Sequence, residues 1–279
     1  MTHTARNKVR GAVSVVFSFF LSLFLFLFVL LIIVQSTLLS EGYLREQMNK
    51  SNYYLHVIEN LKASFESYGN ASGFDKAFFE DFLDPSTVQR DVNQTISYLY
   101  GNGGHALDKQ AFEDSMYDAL VQDAQARGYS LTDQNQEALR YLAGTCAQTY
   151  EQYISMPYFD QISSLLRKLE KPVKYGIMGL GVFILFLAVF LFFVQRWKHR
   201  AFRSYLYAVG GAGLMLLLPP VAVLISGKIQ RISFMTKSMY QLAVNYLTGI
   251  CVDLLISVGA LAVAVAMLAI LYRQFKKRA

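Results

Sequence analysis

Two features inside apolar stretches of the sequence have the residue types to carry chemistry. Asp253 is the only acid within an apolar run that covers residues 250–272. A carboxylate within a membrane span is costly, and such residues commonly serve ion or proton transfer. Pro219 and Pro220 stand side by side in another run, residues 205–226. Because proline kinks or breaks a helix, and broken helices build transport sites near the membrane midplane, all three residues are candidate functional residues.

Each candidate also has a structural interpretation, and the sequence favours it. Asp253 lies near the outer end of its run, about 4.5 Å in by helical rise. A helix N-terminus stabilises a negative side chain, and water is close at that depth. For Pro219 and Pro220, a kinked structural helix is the simpler interpretation, because almost no polar or charged partner is predicted at their depth.

The search for catalytic patterns is negative. The sequence has no G-x-S-x-G, H-E-x-x-H or C-x-x-C pattern, no P-loop and no dinucleotide fingerprint. Intramembrane proteolysis by paired aspartates needs two acids within the spans, and a proton relay of carboxylates needs several. The predicted spans hold only Asp253 and no His, Lys, Arg or Glu. We therefore expect a protein that is not an enzyme and that has no cofactor.

Three further patterns contain residue types that could bind a ligand or form a disulfide, but each is weak. His56 and Glu59 stand three apart, but one pair without a third ligand does not predict a metal site. The glycine-rich residues 101–105 are typical of a turn between two helices. Cys146 and Cys251 could pair in an oxidising compartment, yet nothing in the sequence brings them together.

Four apolar runs dominate the chain, each of about 21–23 residues. About 20 helical residues cross a hydrocarbon core of about 30 Å, so each run predicts a transmembrane helix. The sequence thus predicts an all-α integral membrane protein with four transmembrane helices, at residues 12–34, 175–195, 205–226 and 250–272. The first run is too long for the apolar region of a cleaved signal peptide, so we expect an uncleaved signal anchor.

Charged residues are sorted along the chain. Of the 20 Asp and Glu, 19 lie between residues 41 and 170, so segment 35–174 has a net charge of −7 and the rest of the chain +13. The basic residues flank the spans and form no basic domain, so nothing predicts nucleic-acid binding. Short basic flanks lie on the cytoplasmic side. We expect a plasma-membrane protein with segment 35–174 outside the cell and with a cytoplasmic tail 1–11, loop 196–204 and tail 273–279.

The segment between the first two spans is predicted to be an extracytoplasmic domain of five or six helices. One apolar stripe predicts a helix over residues 43–68, and its members are Leu44, Met48, Leu55, Ile58, Leu61 and Phe65. Asp84 and Pro85 form a helix start, with Asp as N-cap and Pro at the first helical position. A last helix is expected to stop before Pro172, which would separate the domain from the second span.

Stripes of small residues mark two of the spans. The first span carries Ser14, Ser18 and Ser22, and the fourth carries Gly259, Ala262, Ala266 and Ala269. Such stripes let helices approach closely within lipid. We expect them to pack the four spans into a bundle, while recruitment of a second copy or of another protein stays an alternative.

The loop at residues 227–249 has its own pattern. Ile232, Met235, Met239, Leu242 and Tyr246 recur every three or four residues, with polar residues opposite. This predicts an amphipathic helix at the outer membrane surface, unless spans three and four simply extend beyond the bilayer.

Taken together, these patterns predict a protein without enzymatic activity that sits in a lipid bilayer. Its helical domain would bind a protein partner, as a sensor-like or accessory subunit, or the chain would form a homo-oligomer. The alternative is a small transporter or channel component that uses the third span at Pro219 and Pro220.

Overall fold

The computed structural model describes residues 3–155, 159–195, 198–231 and 237–277. Every regular element in those ranges is helical. The helices are α1 (His3–Ser36), α2 (Glu41–Lys50), α3 (Tyr53–Ser72), α4 (Lys76–Phe82), α5 (Pro85–Tyr100), α6 (Lys109–Ala126), α7 (Asp133–Ile154), α8 (Phe159–Val194), α9 (Lys198–Ser226) and α10 (Lys237–Lys277). A single 3₁₀ turn covers Ile229–Arg231.

Four of these helices are long and apolar enough to cross a membrane, as the sequence predicts. The candidate spans are Val13–Ser36, Gln161–Val194, Ala201–Ser226 and Lys237–Lys276, of 24, 34, 26 and 40 residues. Each exceeds the roughly 20 residues that a hydrocarbon core requires. The all-helical fold class and the presence of four candidate membrane-spanning helices are therefore confirmed.

The chain divides into two compact units. The span unit comprises Met1–Ser40, Lys168–Ser233 and Ala243–Ala279, and the helical domain comprises Glu41–Arg167 with Phe234–Leu242. In the span unit α1 and α9 both contribute to each of two buried clusters. One cluster joins α1 to α8 and α9 through Leu21, Leu187, Leu191 and Ala208. The other joins α1 to α9 and α10 through Ile33, Leu216 and Leu254.

The predicted helix 43–68 is two helices. Asn52 has a φ of 51°, in the left-handed region, and it separates α2 from α3. Asn tolerates this conformation better than most residues do. The break changes which face of α3 is buried, so that Leu55 is 54 % exposed while Val57 is fully buried. The predicted stripe is therefore wrong at Leu55, whereas Ile58 is half-buried and the other members are buried as predicted: Leu44, Met48, Leu61 and Phe65.

The prediction that a helix stops before Pro172 is also wrong. Helix α8 runs through Pro172 without interruption to Val194. Proline removes one hydrogen bond, the one to the carbonyl four residues earlier, which here belongs to Lys168. Both Pro172 and Lys168 are exposed, so water can satisfy that carbonyl. The apolar residues that follow are helical for their own reasons, as a membrane span.

The region 227–249, predicted as an amphipathic surface helix, is joined to the fourth span from Lys237 onward. Ile232 and Met235 lie outside the described residues. Helix α10 begins at Lys237 and continues unbroken to Lys277, so Met239, Leu242 and Tyr246 belong to the same helix as the fourth span.

Candidate ligand-binding cleft

The helical domain contains a cleft of about 310 Å³. Its wall is built by the end of α4, by α5, by the connection between α5 and α6, by α6, and by one residue of α7. The lining is mixed: Phe82, Leu83, Val88, Leu107, Ala111 and Phe112 are apolar, and Asp84, Thr87, Arg90, Asp91, Gln94, Thr95, His105, Asp108, Ser115 and Tyr150 are polar. This volume is at the lower end of the range for small-molecule sites.

Helix α5 supplies the largest share of the lining, and its N-cap fixes where it begins. The Asp84 carboxylate accepts hydrogen bonds from the backbone N–H groups of Ser86 and Thr87, as the sequence predicts for the Asp-Pro start. Hydrogen bonds from the Ser86 and Thr87 side chains, followed by the two backbone bonds, lower the pKa of Asp84. From this start, Asp91 and Thr95 fall one turn apart on the same side of α5 and both line the cleft.

The connection from α5 to α6 closes one side of the cleft and depends on a glycine. Gly104 has a φ of 77°, and a Cβ built on it would lie 2.6 Å from the Gln94 carbonyl oxygen. No other residue fits so near α5 in that conformation. The connection then places His105 and Leu107 in the lining, and Asp108 caps α6 by accepting a hydrogen bond from the Ala111 N–H.

Aromatic rings provide the apolar surface of the cleft. The Phe112 ring stacks on the Tyr150 ring with centroids 3.9 Å apart and planes 11° apart. Phe82 meets Phe112 edge to face at 5.7 Å. Stacked and edge-on rings of this kind add stability beyond the area that they bury. The three rings belong to α4, α6 and α7, so the aromatic surface forms only when these helices pack together.

The buried Tyr150 side chain fixes the Asp91 carboxylate by a hydrogen bond. The Tyr150 hydroxyl donates a hydrogen bond of 2.9 Å to Oδ2 of Asp91. Burial, and then the negative charge of Asp91, raise the pKa of Tyr150, so the phenol stays protonated at physiological pH. The other oxygen, Oδ1, lies 3.6 Å from Nε of Arg90, whose side chain is 63 % exposed. An exposed ion pair of this length contributes little, so Oδ1 keeps most of its capacity to accept a hydrogen bond.

Thr95 is the least satisfied polar residue of the cleft. It is only 3 % exposed, and its hydroxyl has no hydrogen-bond partner among the described residues. A helical threonine ordinarily donates to a carbonyl one turn earlier. A buried hydroxyl without a partner costs about 1–3 kcal/mol. The hydroxyl oxygen has almost no surface accessible to water, so it is enclosed within the wall of the cleft.

No described group of three or more His, Cys, Asp and Glu residues could hold a metal ion. His105, at the mouth of the cleft, has Nδ1 3.0 Å from the Ala106 carbonyl oxygen. His56 and Glu59 are 3.2 Å apart on the exposed face of α3, and no third ligand joins them.

The serine stripe of the first span faces α9. Ser14, Ser18 and Ser22 are all buried. The Ser14 and Ser204 hydroxyls are 2.7 Å apart, and the Gln195 side chain donates to Ser14. The Ser18 hydroxyl donates to the Ser14 carbonyl oxygen. These polar contacts join α1 to α9 in the span unit.

Farther along the same stripe, Gly211 of α9 lies directly against Ser22 of α1. A Cβ built on Gly211 would lie 2.5 Å from Oγ of Ser22, which is 4 % exposed. A larger residue at position 211 would require Ser22 to rotate or the two helices to separate.

The small residues of the fourth span are placed differently. Gly259, Ala262 and Ala266 are exposed, and Ala269 is half-buried. A Cβ built on Gly259 would meet no described atom within 4 Å. Within the described chain, this stripe does not form a close helix contact of the kind made at Gly211.

The rationale drawn from sequence for Asp253 does not hold. Asp253 was expected near a helix N-terminus, but α10 begins at Lys237, about 24 Å earlier along the axis. Asp253 is half-buried in the interior of α10, and its carbonyl accepts a hydrogen bond of 3.0 Å from the Ser257 hydroxyl. It lies about 30 Å from Arg273 along the helix, one hydrocarbon thickness, so it still fits one end of the membrane-spanning part.

The two prolines of the third span do not break their helix. Helix α9 is continuous from Lys198 to Ser226, with Pro219 exposed and Pro220 buried. Neither proline lies in the cleft.

The two cysteines, Cys146 and Cys251, are both free and both buried.

Sequence reasoning did not find the cleft. The only local signal is that polar Asp91 and Thr95 stand beside the apolar positions of α5 without breaking its pattern. Comparison with family models, with curated proteins and with solved structures finds no match.

Proposed function

We propose that this chain is a membrane-anchored recognition protein. Its helical domain lies outside the cytoplasm and binds a ligand or partner, and its four spans hold that domain at the plasma membrane. One observation supports the proposal: a cleft of about 310 Å³ between α5, α6 and α7 combines the stacked rings of Phe112 and Tyr150 with the carboxylate of Asp91.

The distribution of charge supports the orientation. Basic residues flank the spans at the N-terminal tail, at residues 196–204 and at the C-terminal tail, while almost all acids lie in segment 35–174. Short loops rich in Lys and Arg remain in the cytoplasm, and acidic domains are free to cross. Both termini are then cytoplasmic, and the helical domain is external.

Photo-crosslinking in native membranes tests the recognition function. p-Benzoylphenylalanine replaces the exposed His105 at the mouth of the cleft in one variant and the exposed Tyr141 on α7, outside the cleft, in the control. The proposal expects a discrete adduct, seen as a shift in intact mass or as a cross-linked band, from position 105 only. Equal adducts from both positions, or none from position 105, would contradict it.

Cysteine labelling tests the orientation separately. Cys146→Ala and Cys251→Ala remove the native thiols, and single cysteines are then placed at the exposed Gln125 and Gln274. An impermeant maleimide should label position 125 in intact cells and position 274 only after permeabilisation. The reverse pattern would refute the proposed topology.

The alternative is a small transporter or channel component that uses the third span. It rests on Pro219 and Pro220 and on the unusual acid Asp253, which has no described charged partner. Purified protein in liposomes decides between the two functions. Flux that is abolished by Pro219→Ala with Pro220→Ala, or by Asp253→Asn, would favour transport. Background flux together with cross-linking at position 105 favours recognition.

A further inference from the structure

We infer that the start of α9 and the end of α10 form a binding site for an anionic phospholipid, whose headgroup phosphate lies between Arg203 and Lys276. The inference goes beyond the recognition function and does not depend on the cleft. Two observations carry it together. A ring contact joins the two helix ends that bear these cations, and no carboxylate side chain lies near enough to neutralise them.

A stacked pair of phenylalanine rings joins the two helix ends. The Phe202 and Phe275 rings have centroids 5.1 Å apart and planes 9° apart, although the residues are distant in sequence. Farther along α9, a Cβ built on Gly213 would lie 3.8 Å from Cβ of Leu261, which comes earlier in α10 than Phe275. The two helices therefore run antiparallel, and the start of one meets the end of the other.

The cations flank this ring contact. Arg203 directly follows Phe202, Lys276 directly follows Phe275, and both cationic residues are exposed. Successive residues of an α-helix are turned by about 100° around its axis. In two antiparallel helices, one step beyond the facing residue leads to the same side of the pair, so Arg203 and Lys276 share a side. The exposed Arg273, one turn before Lys276, adds a third cation.

The Arg203 guanidinium is held in position by the tyrosine one turn later. Its Nε donates a hydrogen bond of 3.1 Å to the Tyr207 hydroxyl, and its central carbon lies 5.4 Å from the centre of the Tyr207 ring. The two terminal nitrogens have no hydrogen bond among the described residues. A guanidinium binds phosphate oxygens through parallel hydrogen bonds of this kind of free N–H group.

No carboxylate side chain competes for these cations. The only acid among residues 171–279 is Asp253, and it lies about 33 Å from Phe275 along α10. None of the described ion pairs involves Arg203, Arg273 or Lys276. The counter-charge must therefore come from outside the described chain, and an anionic headgroup supplies it.

An apolar face next to the cations favours a lipid over a free anion. The face of α9 that carries Arg203 continues, at spacings of four, seven and four residues, with Tyr207, Leu214 and Leu218. These three residues are 55, 65 and 70 % exposed. Arg203 and Lys276 lie at the ends of their candidate spans. A lipid can therefore place its phosphate at the cations and an acyl chain along the leucines.

Native mass spectrometry of the full-length protein tests the inference. The protein is reconstituted in nanodiscs with equal amounts of phosphatidylglycerol and phosphatidylcholine, and the lipids that it retains on release are counted. One basic residue at a membrane surface favours an anionic lipid by about fivefold. The wild type should therefore retain phosphatidylglycerol over phosphatidylcholine by at least about fivefold. Equal retention of the two lipids would overturn the inference.

Paired variants locate the lipid. Arg203→Gln with Lys276→Gln should lower the preference for phosphatidylglycerol to about twofold or less. The matched control is Lys228→Gln with Arg231→Gln, which removes the same two charges from exposed residues beyond the other end of α9. The control should leave the preference unchanged. Equal losses in both variants would mean that net charge alone attracts the lipid, and would refute the site.

Phe275→Ala separates geometry from charge. It retains every cation but removes the ring contact, so it should lower the preference by about threefold or more. A folded Phe275→Ala protein with the wild-type preference would contradict the joint role of the two helix ends. Melting temperatures report folding. If the double variant does not fold, Lys276→Gln alone, at an exposed position, should lower the preference by about twofold or more, and no change would overturn the inference.

Soluble anions distinguish a lipid site from a site for free phosphate. Inorganic phosphate and glycerophosphoglycerol, which is the headgroup without acyl chains, are added to the nanodiscs at constant ionic strength. Neither should displace phosphatidylglycerol, because neither contacts the apolar face of α9. Displacement by inorganic phosphate would assign the cations to a soluble anion and overturn the lipid.

Discussion

The Tyr150 hydroxyl donates a hydrogen bond of 2.9 Å to Asp91, and this bond ties α7 to α5 across 59 residues of sequence. The same phenol ring stacks on Phe112 of α6, so a single side chain connects three helices. The geometry of the cleft therefore depends on Tyr150 more than on any residue that sequence patterns single out.

Tyr150→Phe should destabilise the helical domain by about 1–2 kcal/mol. The substitution retains the ring stack but removes a hydrogen bond to a charged acceptor. The measurement is chemical unfolding of the full-length protein in detergent, with hydrogen exchange of α5 and α7 peptides to locate the loss. Tyr153→Phe is the control, because Tyr153 is half-buried on the same helix and has no described hydrogen bond. Equal effects of the two variants would contradict the assigned role of the hydroxyl.

Glu41 predicts an acid-sensitive contribution to stability. Burial tends to raise the pKa of Glu41, but hydrogen bonds from Asn102 and Ser97 and the Arg45 guanidinium at 2.5 Å together lower it below its ordinary 4.5. Because the folded pKa lies below the unfolded one, the stabilisation is complete above about pH 4.5. It is lost as the pH falls through the lower folded value.

The corresponding measurement is the unfolding free energy of Glu41→Gln relative to the wild type. The variant should be less stable by about 1–2 kcal/mol at pH 7, and the difference should shrink as the pH falls below 4.5. Glu46→Gln serves as control, since its ion pair with Lys50 is exposed and contributes about 0.5 kcal/mol or less. A Glu41→Gln difference that stays constant with pH would refute the linkage.

Gly211→Ala should destabilise the contact between α1 and α9 by about 1–3 kcal/mol. The new Cβ would lie 2.5 Å from Oγ of Ser22, so the helices must separate or Ser22 must rotate. Gly210→Ala is the neighbouring control, because a Cβ there meets no described atom within 4 Å. The measurement is the melting temperature of the protein in detergent.

A double variant checks the cause of the Gly211 effect. Ser22→Ala removes the hydroxyl that the new Cβ would strike, so Ser22→Ala with Gly211→Ala should recover much of the lost stability. Such coupling between contacting residues is typically 0.5–3 kcal/mol. Strictly additive effects would show that the close approach at Gly211 is not what the substitution disturbs.

Gly104→Ala should displace the connection between α5 and α6 from its contact with α5. Both Gly103 and Gly104 have positive φ angles, of 90° and 77°, so alanine is strained at either position. Only at Gly104 would the added Cβ also strike the Gln94 carbonyl oxygen, at 2.6 Å. Hydrogen exchange of residues 101–108 should therefore rise more for Gly104→Ala than for Gly103→Ala. Equal increases would mean that backbone strain alone determines the effect.

The spans could be predicted from sequence because each is specified by its own composition. A run of about 20 apolar residues must be helical in lipid whatever its neighbours are, since its backbone groups find no other partners there. The start of α5 was predictable for a similar reason, because Asp84 and Pro85 act within one turn. Such local determinants need no knowledge of the tertiary structure.

The features that could not be predicted from the sequence depend on the surroundings of a residue or on packing between residues far apart in the chain. The break at Asn52 has no glycine or proline to mark it, and so the predicted stripe includes Leu55, which is exposed, and omits Val57, which is buried. A helix usually ends before a proline, but α8 continues through Pro172. Water can satisfy the exposed carbonyl that the proline leaves free, and the apolar residues that follow form a helix by themselves. The cleft exists because Tyr150 reaches Asp91, and no pattern within either helix records that meeting.

The hydrogen bond between Ser14 and Ser204 also sets an order of events during biosynthesis. The two residues are 190 positions apart, so α1 enters the bilayer long before its packing partner has been translated. At about 5–20 residues per second, α1 must wait roughly 10–40 s with its serine face unmatched. Residues Glu41–Arg167 of the helical domain emerge within that interval. Helix α1 is thus inserted before the other three spans, but it packs against α9 only after α9 has been translated.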